Sequence, residues 1–475
     1  MPADATTVVW FRRDLRGADH PALSGAAARG GVVCLFVVDP EILGRRHHRC
    51  PPRLRFLREG LRALDEELRD RDGGLVVRAG DPEQVVPAVA AEAGADRVHV
   101  TREVSPLGRA RDRRVADALT ASGTQLVGFD GDLLAPPEAL PGPKGSGYRV
   151  FTPFYRAWLK IAIPAHIPAP DRLAGPALRS EGAQGLPEGE PPLPAGSMAA
   201  LNRLDDFIQR EDVDYYGDER DLVAEGTTSR LSAYLRFGMC TSAQVGRAIG
   251  PERMASGRDA FWRQVAWREF FHHLLWWHPE AARAAQQPQY RGIEWDDDPA
   301  ALTAWTRGLT GYPLVDAAMR QLAGSGWVHN RARMVAASFL VKDLLVDWRR
   351  GETVFMQGLV DGDPASNNGG WQWVASTGTD AAPYFRVMNP IRQAKRFDPE
   401  GVYVKRHVPE LRRVPVEHIH EPWRMDPELQ RRVGCRIGVD YPAPIVDHLE
   451  RQRLAVARWR DAAARAAAPE ELVSE

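Results

Sequence analysis

The sequence predicts an α/β domain followed by an all-helical domain, with a long connector between them. Three observations carry this prediction. Short, continuously apolar segments alternate with amphipathic ones over residues 1–130, prolines and glycines accumulate over residues 131–196, and the apolar spacing is helical over residues 197–465. At 475 residues the chain also exceeds the usual size of one hydrophobic core, so two domains are expected.

The first domain, residues 1–130, is expected to contain a five-stranded parallel sheet. A strand buried on both faces reads as a continuous apolar run, and helices between such strands indicate a Rossmann-like sheet covered on both sides. No glycine-rich dinucleotide fingerprint follows the first run, so no nicotinamide site is expected. The five runs are Thr7–Phe11, Val32–Val38, Leu75–Arg78, Arg97–Thr101 and Gln125–Phe129, and the amphipathic stretches include Pro52–Arg71 and Gly108–Ser122.

The connector, residues 131–196, holds 13 of the chain's 37 prolines, which is typical of an irregular segment that wraps a surface. One helix-like island, Phe151–Ile161, interrupts it. Helical spacing then dominates residues 197–465, and plain core packing is expected for most aromatic positions there. A short tail, residues 466–475, follows the helical domain.

Composition and charge narrow the class of protein. A hydrophobic content of 44% and a charged content of 26% are those of a globular chain, and a net charge of −1 means that any nucleic-acid contact needs a local basic patch. No apolar run approaches the ~20 residues that span a membrane, and the first strand begins too early to leave room for a signal peptide. The four cysteines show neither metal-like spacing nor a disulfide framework. We therefore expect a reduced, soluble, cytoplasmic protein.

The segment over residues 361–385 is the most informative part of the chain. It is too aromatic for a surface loop and too rich in Asp, Asn and Gly for an ordinary core. Asp363 and the proline after it predict an N-cap and a first helical residue, which places Asp363, Asn367 and Trp371 on one helix face. The pair Gly369–Gly370 would cost about 1 kcal/mol per glycine in a helix, so something is expected to approach that backbone closely. These groups together suit a large, flat cofactor with polar edges.

This segment closely resembles the flavin-contacting signature of the DNA photolyase and cryptochrome family, and the chain is most like its bacterial class I cyclobutane pyrimidine dimer photolyases. The resemblance implies a U-shaped FAD in the helical domain and light-driven repair of such dimers in UV-damaged DNA. The electron would come from excited, reduced FAD, and no metal would be needed. Further matching motifs, in the family's order, are Val8–Arg16, Thr227–Leu235, Trp267–Phe270, Gly311–Arg320 and Trp327–Met334.

Two other functions within the family stay open. One is a cryptochrome-type blue-light photoreceptor without repair activity, and the other is a (6-4) photoproduct photolyase. By the resemblance, Asn367 faces flavin N5, where the photoreceptor branches carry Asp or Cys. Asn330 occupies a position where (6-4) enzymes typically carry His. Both residues therefore favour repair of cyclobutane dimers.

The hydroxyl-rich segment Thr227–Ser232 predicts a helix start, which by itself would be a good N-cap and also suits phosphate. The resemblance implies that this segment holds the FAD pyrophosphate, and that Arg333 and Asp361 lie against the isoalloxazine ring. It places Asp363 at the ribityl or ring edge. The full implied FAD set is Tyr216, Thr228, Ser229, Arg230, Leu231, Ser232, Phe261, Gln264, Trp327, His329, Asn330, Arg333, Asp361, Gly362, Asp363 and Asn367.

The resemblance also implies residues that act in electron transfer. Trp371 would lie nearest the flavin, Trp348 next and Trp295 at the surface, so that the three indoles rereduce oxidised flavin. Asn367 would act at flavin N5. Gln264 departs from the family pattern, because dimer photolyases usually carry Glu there. A Gln keeps hydrogen bonds but cannot donate a carboxylic proton, so lesion binding with a lower repair yield is expected.

For the DNA, the resemblance implies aromatic pocket walls from Trp267 and Trp373, with Met334 across the dimer and Asn330 at a base. Arg220 and Arg331 would contact phosphates. The stretch Arg386–Arg413 holds eight Lys/Arg against three Asp/Glu and is expected to grip the DNA backbone. A monomer that contacts no membrane is expected.

An antenna chromophore is expected in the first domain. The Cys-Lys pair of folate-binding members is missing from residues 281–289, which disfavours methenyltetrahydrofolate. Residues 103–114 look closer to members that bind 8-hydroxy-deazaflavin, which is therefore the expected antenna. FMN, methenyltetrahydrofolate and no antenna remain as alternatives.

Overall fold

The computed structural model describes residues 5–45, 49–224, 226–250, 256–296, 298–380 and 385–467. The chain divides into two compact units. The first unit comprises Met1–Asp218, Thr227–Pro279 and Leu359–Ala365, and the second comprises Glu219–Gly226, Glu280–Gly358 and Ser366–Glu475. The region expected to form one helical domain therefore contributes residues to both units. The domain limits expected at residues 130, 196 and 465 stay predictions.

The first unit contains the predicted five-stranded parallel sheet, with strand order β3-β2-β1-β4-β5. Strands β1 and β2 are buried along their whole length, which is why they read as unbroken apolar runs. Apolar side chains of the sheet pack against helices α4 and α5 in one core. The bounds are β1 Thr7–Phe11, α1 Pro21–Ala27, β2 Val32–Val38, α2 Pro40–Gly44, α3 Pro51–Arg69, β3 Leu75–Ala79, α4 Pro82–Glu92, β4 Arg97–Thr101, α5 Pro106–Ala121 and β5 Gln125–Phe129.

The connector contains one α-helix within the described residues, α6 Phe151–Trp158, which ends three residues before the predicted limit. The buried carboxylate of Glu269 holds the connector at two points. It accepts hydrogen bonds from the backbone N of Leu134 at 2.7 Å and from Nε1 of Trp158, at the end of α6, at 2.6 Å. Between the connector and Pro279, this unit contains the helices α7 Ser197–Gln209, α8 Asp212–Glu219, α9 Ser232–Arg236, α10 Ser242–Ala248 and α11 Ser256–Trp277.

Among the described residues of the second unit the regular elements are helices, as the apolar spacing predicted, apart from an isolated β-bridge between Ile437 and Tyr441. Helix α16 begins at Pro364, as predicted, and α20 runs to Ala467, two residues past the expected end of the helical region. Among the described residues, none of the helices is both long and apolar enough to cross a bilayer. The bounds are α12 Pro299–Arg307, α13 Pro313–Ser325, α14 Asn330–Ser338, a π-helical turn Phe339–Asp343, α15 Trp348–Gly358, α16 Pro364–Ala375, α17 Pro390–Phe397, α18 Val402–His407, α19 Pro427–Val433 and α20 His448–Ala467.

Candidate functional site

The hydroxyl-rich segment of the first unit is a turn that precedes a helix, and the N-cap prediction is wrong. Helix α9 begins only at Ser232, and its N-cap residue Leu231 makes no side-chain capping bond. Arg230 adopts a left-handed conformation with φ of 52°. The cause is tertiary, because Arg203 of α7 donates to the carbonyl oxygens of Thr228 at 2.9 Å and Ser229 at 2.8 Å and holds them in a turn. No sequence signal marked Arg203.

The turn nevertheless retains groups that can take a phosphate. The hydroxyl of Thr227 is buried and has no hydrogen-bond partner among the described residues. A buried polar atom without a partner costs free energy, so an unpaired hydroxyl indicates a missing acceptor or donor. Ser232 is exposed and Thr228 half-buried. These hydroxyls fit an anionic ligand better than a helix cap.

Tyr216 and Phe261, both expected at FAD, contact each other in the first unit. Their ring centroids are 5.4 Å apart and their planes are nearly perpendicular. Phe207 of α7 completes the cluster, at 6.0 Å from Tyr216 and 4.9 Å from Phe261. The sequence did not single out Phe207, because an apolar residue at helical spacing looks like any core position.

The segment Leu359–Ala365 places Asp361, Gly362 and Asp363 in the first unit. Asp363 is buried and forms an ion pair with Arg13, from the turn after β1. Nε2 of His272, on α11, lies 3.5 Å from the other carboxylate oxygen. Burial alone would raise the pKa of Asp363, but the charges of His272 and Arg13 hold this pKa well below its usual range.

A second arginine, Arg236, stabilises the same segment. Its Nε donates to the Gly362 carbonyl oxygen at 2.9 Å. Burial, together with the nearby positive charge of Arg13, lowers the pKa of Arg236 to about 9. Asp363 therefore lies in a buried cluster of charges, in which Arg13 and Arg236 interact with Asp363 and also with the carboxylate of Glu103. Sequence reasoning missed both arginines, since Arg13 is 350 residues from Asp363.

Helix α11 carries Gln264 and Trp267, three residues apart and therefore on the same side of the helix. Both are half-buried. Gln264 Nε2 makes one long hydrogen bond, 3.5 Å, to the carbonyl oxygen of Ala260 in the preceding turn. A bond of that length holds the amide weakly, so Gln264 can turn toward another partner.

In the second unit, α14 groups several predicted residues. Asn330 is its exposed first residue, and Asn330 Nδ2 lies 3.7 Å from the sulfur of Met334, one turn later. These two predicted lesion contacts therefore share one helix face.

His329 is the N-cap of α14, and its Nδ1 accepts a hydrogen bond from the backbone N of Arg331 at 3.2 Å. Trp327 and Arg333 flank it: the Trp327 ring lies 6.4 Å from the His329 ring, and Arg333 Nε donates to the Val328 carbonyl at 2.7 Å.

Arg331 is less available than predicted for a phosphate. Its guanidinium forms an ion pair with Asp221 at 2.5 Å and lies 4.5 Å from the centroid of the Phe397 ring. Arg220, beside Asp221, is half-buried. A phosphate bound by Arg331 would therefore share the guanidinium with Asp221. Most cations of the basic stretch are exposed as expected, namely Arg386, Arg392, Lys395, Arg396, Arg406, Arg412 and Arg413.

Asn367 is held in one orientation by its own unit. Its Nδ2 donates to the Glu352 carbonyl oxygen at 3.0 Å, which leaves Oδ1 as the amide atom that can accept. The Glu352 carboxyl lies beside Asn368, whose Nδ2 donates to it at 3.3 Å. Burial raises the pKa of Glu352 to about 7, so this carboxyl is partly protonated at neutral pH. Glu352 has no motif signal in the sequence.

The three predicted relay tryptophans all lie in the second unit. Trp371 and Trp348 are buried, and Trp295 is half-buried. A Cβ added at Gly351, one turn after Trp348 on α15, would collide with the Trp371 ring. Trp371 therefore packs on the bare backbone of the helix that begins with Trp348, although the relay itself stays a prediction.

Other aromatic residues surround this tryptophan set, and the sequence did not single them out. The Trp371 ring contacts Trp305 at 6.1 Å and Phe355 at 5.0 Å between centroids. Trp295 meets Trp459 of α20 edge-on at 5.3 Å. Trp373, the other predicted pocket wall, is half-buried on α16. With 14 tryptophans in the chain, composition alone cannot separate a relay from core packing.

Comparison with known proteins identifies the family. Residues 7–171 match the family model described as DNA photolyase, and residues 261–461 match that of the FAD binding domain of DNA photolyase. The chain belongs to the DNA photolyase family. A deoxyribodipyrimidine photo-lyase from Halobacterium salinarum is 42% identical, over 95% of this chain and 98% of the relative.

Solved structures of the photolyase family agree with this assignment. A bacterial class III photolyase from Agrobacterium tumefaciens has a TM-score of 0.90 and 38% identity, over 97% of this chain and 98% of that one. A Synechocystis cryptochrome has a TM-score of 0.89 and 29% identity, over 96% and 99%. An archaeal photolyase from Sulfolobus tokodaii, described with two FAD molecules, has a TM-score of 0.83 and 31% identity, over 96% and 100%. Photolyase and cryptochrome thus share the fold, so the fold alone does not separate repair from signalling.

Proposed function

We propose that this protein repairs cyclobutane pyrimidine dimers in UV-damaged DNA, driven by light. The relatives named deoxyribodipyrimidine photo-lyase support this reaction. The structural observation that supports it most is the hydrogen bonding of Asn367. The hydrogen bond from Nδ2 to Glu352 leaves Oδ1, a neutral acceptor, for a further partner, and the resemblance implies that this partner is flavin N5. A reduced flavin carries a hydrogen on N5, so an acceptor there suits the reduced state that repair requires.

The proposed FAD contacts are the residues implied by the resemblance. Thr228, Ser229, Arg230, Leu231 and Ser232 would hold the pyrophosphate, and the unpaired Thr227 hydroxyl supports this assignment. When bound, reduced FAD supplies the electron that opens the cyclobutane ring. The chain's part is to bind and orient, with Asp363 fixed by Arg13 at the flavin edge. The remaining proposed contacts are Tyr216, Phe261, Gln264, Trp327, His329, Asn330, Arg333, Asp361, Gly362 and Asn367.

Trp371, Trp348 and Trp295 are proposed to carry electrons to oxidised flavin. Burial of the first two excludes water from the inner part of the path. Trp295 is half-buried, and Asp296 beside it is ion-paired with Arg451 and Arg458, each at 2.6 Å. The outer indole therefore has partial solvent access, from which an external reductant can act.

For DNA, we propose that Trp267, Trp373, Met334 and Asn330 contact the dimer. The exposed cations of Arg386–Arg413 would bind phosphates with little sequence preference, together with Arg220 and Arg331. Photolyases are known to flip their target bases out of the duplex. The dimer is therefore expected to leave the base stack, at a cost of a few kcal/mol. The protein is proposed to act as a monomer in the cytoplasm.

The antenna is proposed to be 8-hydroxy-deazaflavin, with FMN, methenyltetrahydrofolate or no antenna as alternatives. In open α/β sheets, ligands bind where the strand order reverses, which here is between β1 and β4. At that edge the guanidinium groups of Arg12 and Arg111 lie 4.7 and 4.9 Å from the centroid of the Trp10 ring. The Sulfolobus structure, described with two FAD molecules, adds a second FAD to the alternatives for the antenna. Mass spectrometry of chromophores released from protein purified from its native host distinguishes them.

A cryptochrome-type function is the second candidate, because Gln264 replaces the expected Glu and a cryptochrome shares the fold. The deciding experiment is repair of an oligothymidylate that carries cyclobutane dimers, by photoreduced protein under blue light, with a dark control. Light-dependent recovery of thymine absorbance is expected. No recovery with reduced flavin bound would refute dimer repair and favour a photoreceptor or a (6-4) lesion.

The expected membership of the class I photolyases stays a prediction.

A further inference from the structure

One face of the Trp267 indole is covered by an aromatic residue from the connector. The Phe151 ring, at the start of α6, lies parallel to Trp267, with centroids 3.9 Å apart and planes 6° apart. No group fits between rings at this distance. A flat base can therefore stack only on the opposite indole face.

The stack continues away from Trp267 and returns to α11. The Tyr155 ring follows Phe151, with centroids 5.6 Å apart and planes 14° apart, and the Arg263 guanidinium lies 4.6 Å from the Tyr155 ring. The Tyr155 hydroxyl donates to Asp259 at 2.6 Å. Since Asp259, Arg263 and Trp267 are spaced by four residues, one face of α11 contacts both ends of the stack.

Helix α6 cannot move freely along this face. Phe151 is only 6% exposed, and Trp158 at the other end of α6 is fully buried. Trp158 Nε1 donates to Glu269 on α11 at 2.6 Å. The helix is therefore fastened at both ends, which fixes the plane of Phe151. Trp267 lies parallel to that plane, and Phe270 and Phe271 of α11 contact the same indole at 5.5 and 5.4 Å between centroids.

We propose that Phe151 is a positioning residue for lesion recognition, which orients Trp267 so that the indole face opposite Phe151 receives the dimer. This inference rests on the proposed contact between Trp267 and the dimer. It explains why one amphipathic helix interrupts a connector rich in proline and glycine. It also gives a part in lesion recognition to a residue that the resemblance did not single out.

The test is the affinity of the protein, in the dark, for an oligothymidylate with a single cyclobutane dimer and for the same oligonucleotide undamaged. Phe151→Leu keeps an apolar side chain but removes the flat ring. An aromatic pair contributes at most about 1.5 kcal/mol, and only the part that orients the indole affects binding, so dimer affinity should fall about 2- to 10-fold, with affinity for undamaged DNA unchanged. Phe151→Tyr restores the ring and should restore dimer affinity to within about twofold.

Phe154→Leu is the matched control, because Phe154 is on the same helix and fully buried, with its ring against Phe270 and His273. It should lower thermal stability as much as Phe151→Leu while dimer affinity stays at the wild-type value. Equal losses of dimer affinity in the two leucine variants, or no loss in Phe151→Leu, would overturn the inference. A wild-type protein that does not prefer the dimer would instead overturn the proposed function.

A double-mutant cycle isolates the positioning effect from general damage to the fold. In a Trp267→Ala background, Phe151→Leu should change dimer affinity less than twofold, because no indole remains to be oriented. FAD content of each variant, read from flavin absorbance, should equal that of the wild type. An undiminished effect of Phe151→Leu in the Trp267→Ala background would show that Phe151 acts by another route and would refute the proposal.

Discussion

Replacing Gly370 by alanine tests whether a flavin lies against the bare backbone of α16. A Cβ at Gly370 meets no described atom within 4 Å, so alanine causes no clash within the chain. Glycine inside a helix is about 1 kcal/mol less favourable than alanine, so Gly370→Ala should stabilise the flavin-free protein by up to about 1 kcal/mol. For a unit of about 200 residues this corresponds to a rise of about 2–4 °C in the melting temperature.

The same substitution should weaken FAD binding, because the added methyl group would occupy space that the cofactor needs. An overpacked contact costs about 1–3 kcal/mol, so the Kd for FAD should rise at least about fivefold. Differential scanning fluorimetry of flavin-free protein gives the stability, and quenching of flavin fluorescence gives the Kd. A more stable protein with an unchanged Kd would refute the idea that the flavin approaches this backbone.

Gly351→Ala is the matched control, because Gly351 is also a glycine inside a helix of the second unit. There a Cβ would collide with the Trp371 ring and with Leu340. The cost of overpacking, about 1–3 kcal/mol, outweighs or cancels the gain of about 1 kcal/mol in helix propensity. We expect unchanged or lower stability and slower photoreduction of the flavin, since Trp371 must move. A stabilised Gly351→Ala variant with normal photoreduction would contradict the packing of Trp371 on α15.

Three further predictions follow from the site. Trp371→Phe should block photoreduction of oxidised flavin, followed as loss of flavin absorbance under light, while chemically reduced protein still repairs dimers; normal photoreduction would refute the relay. Gln264→Glu should hold or raise the number of dimers repaired per absorbed photon, and a large loss would mean that the amide is used differently. Burial raises the pKa of Glu352 from 4.5 to about 7, so the folded state binds its proton more tightly than the unfolded state. Stability should therefore fall as pH rises from about 4.5 to about 7, by at most about 3 kcal/mol, and Glu352→Gln should remove that part of the pH dependence. Identical pH profiles of melting temperature for wild type and variant would show that Glu352 does not titrate in this range.

Features set by neighbouring residues could be predicted from the sequence. Strands β1 and β2 were predicted because a strand buried on both faces must be apolar throughout, and both are buried along their whole length. The start of α16 was predicted because Asp363 and Pro364 restrict the local backbone. Motif order gave the family, and the four-residue spacing of Asn330 and Met334 placed both on one face of α14.

The tertiary structure alone decided which distant side chains meet. The sequence gives no signal that Arg13 lies at Asp363, that Phe151 covers Trp267, or that Arg203 turns the hydroxyl segment away from a helix cap. These contacts depend on packing between elements far apart in the chain, and each partner by itself resembles an ordinary surface charge or core aromatic. Local chemistry therefore determined the elements and the candidate residues, whereas long-range packing determined which face of each residue is left for a ligand.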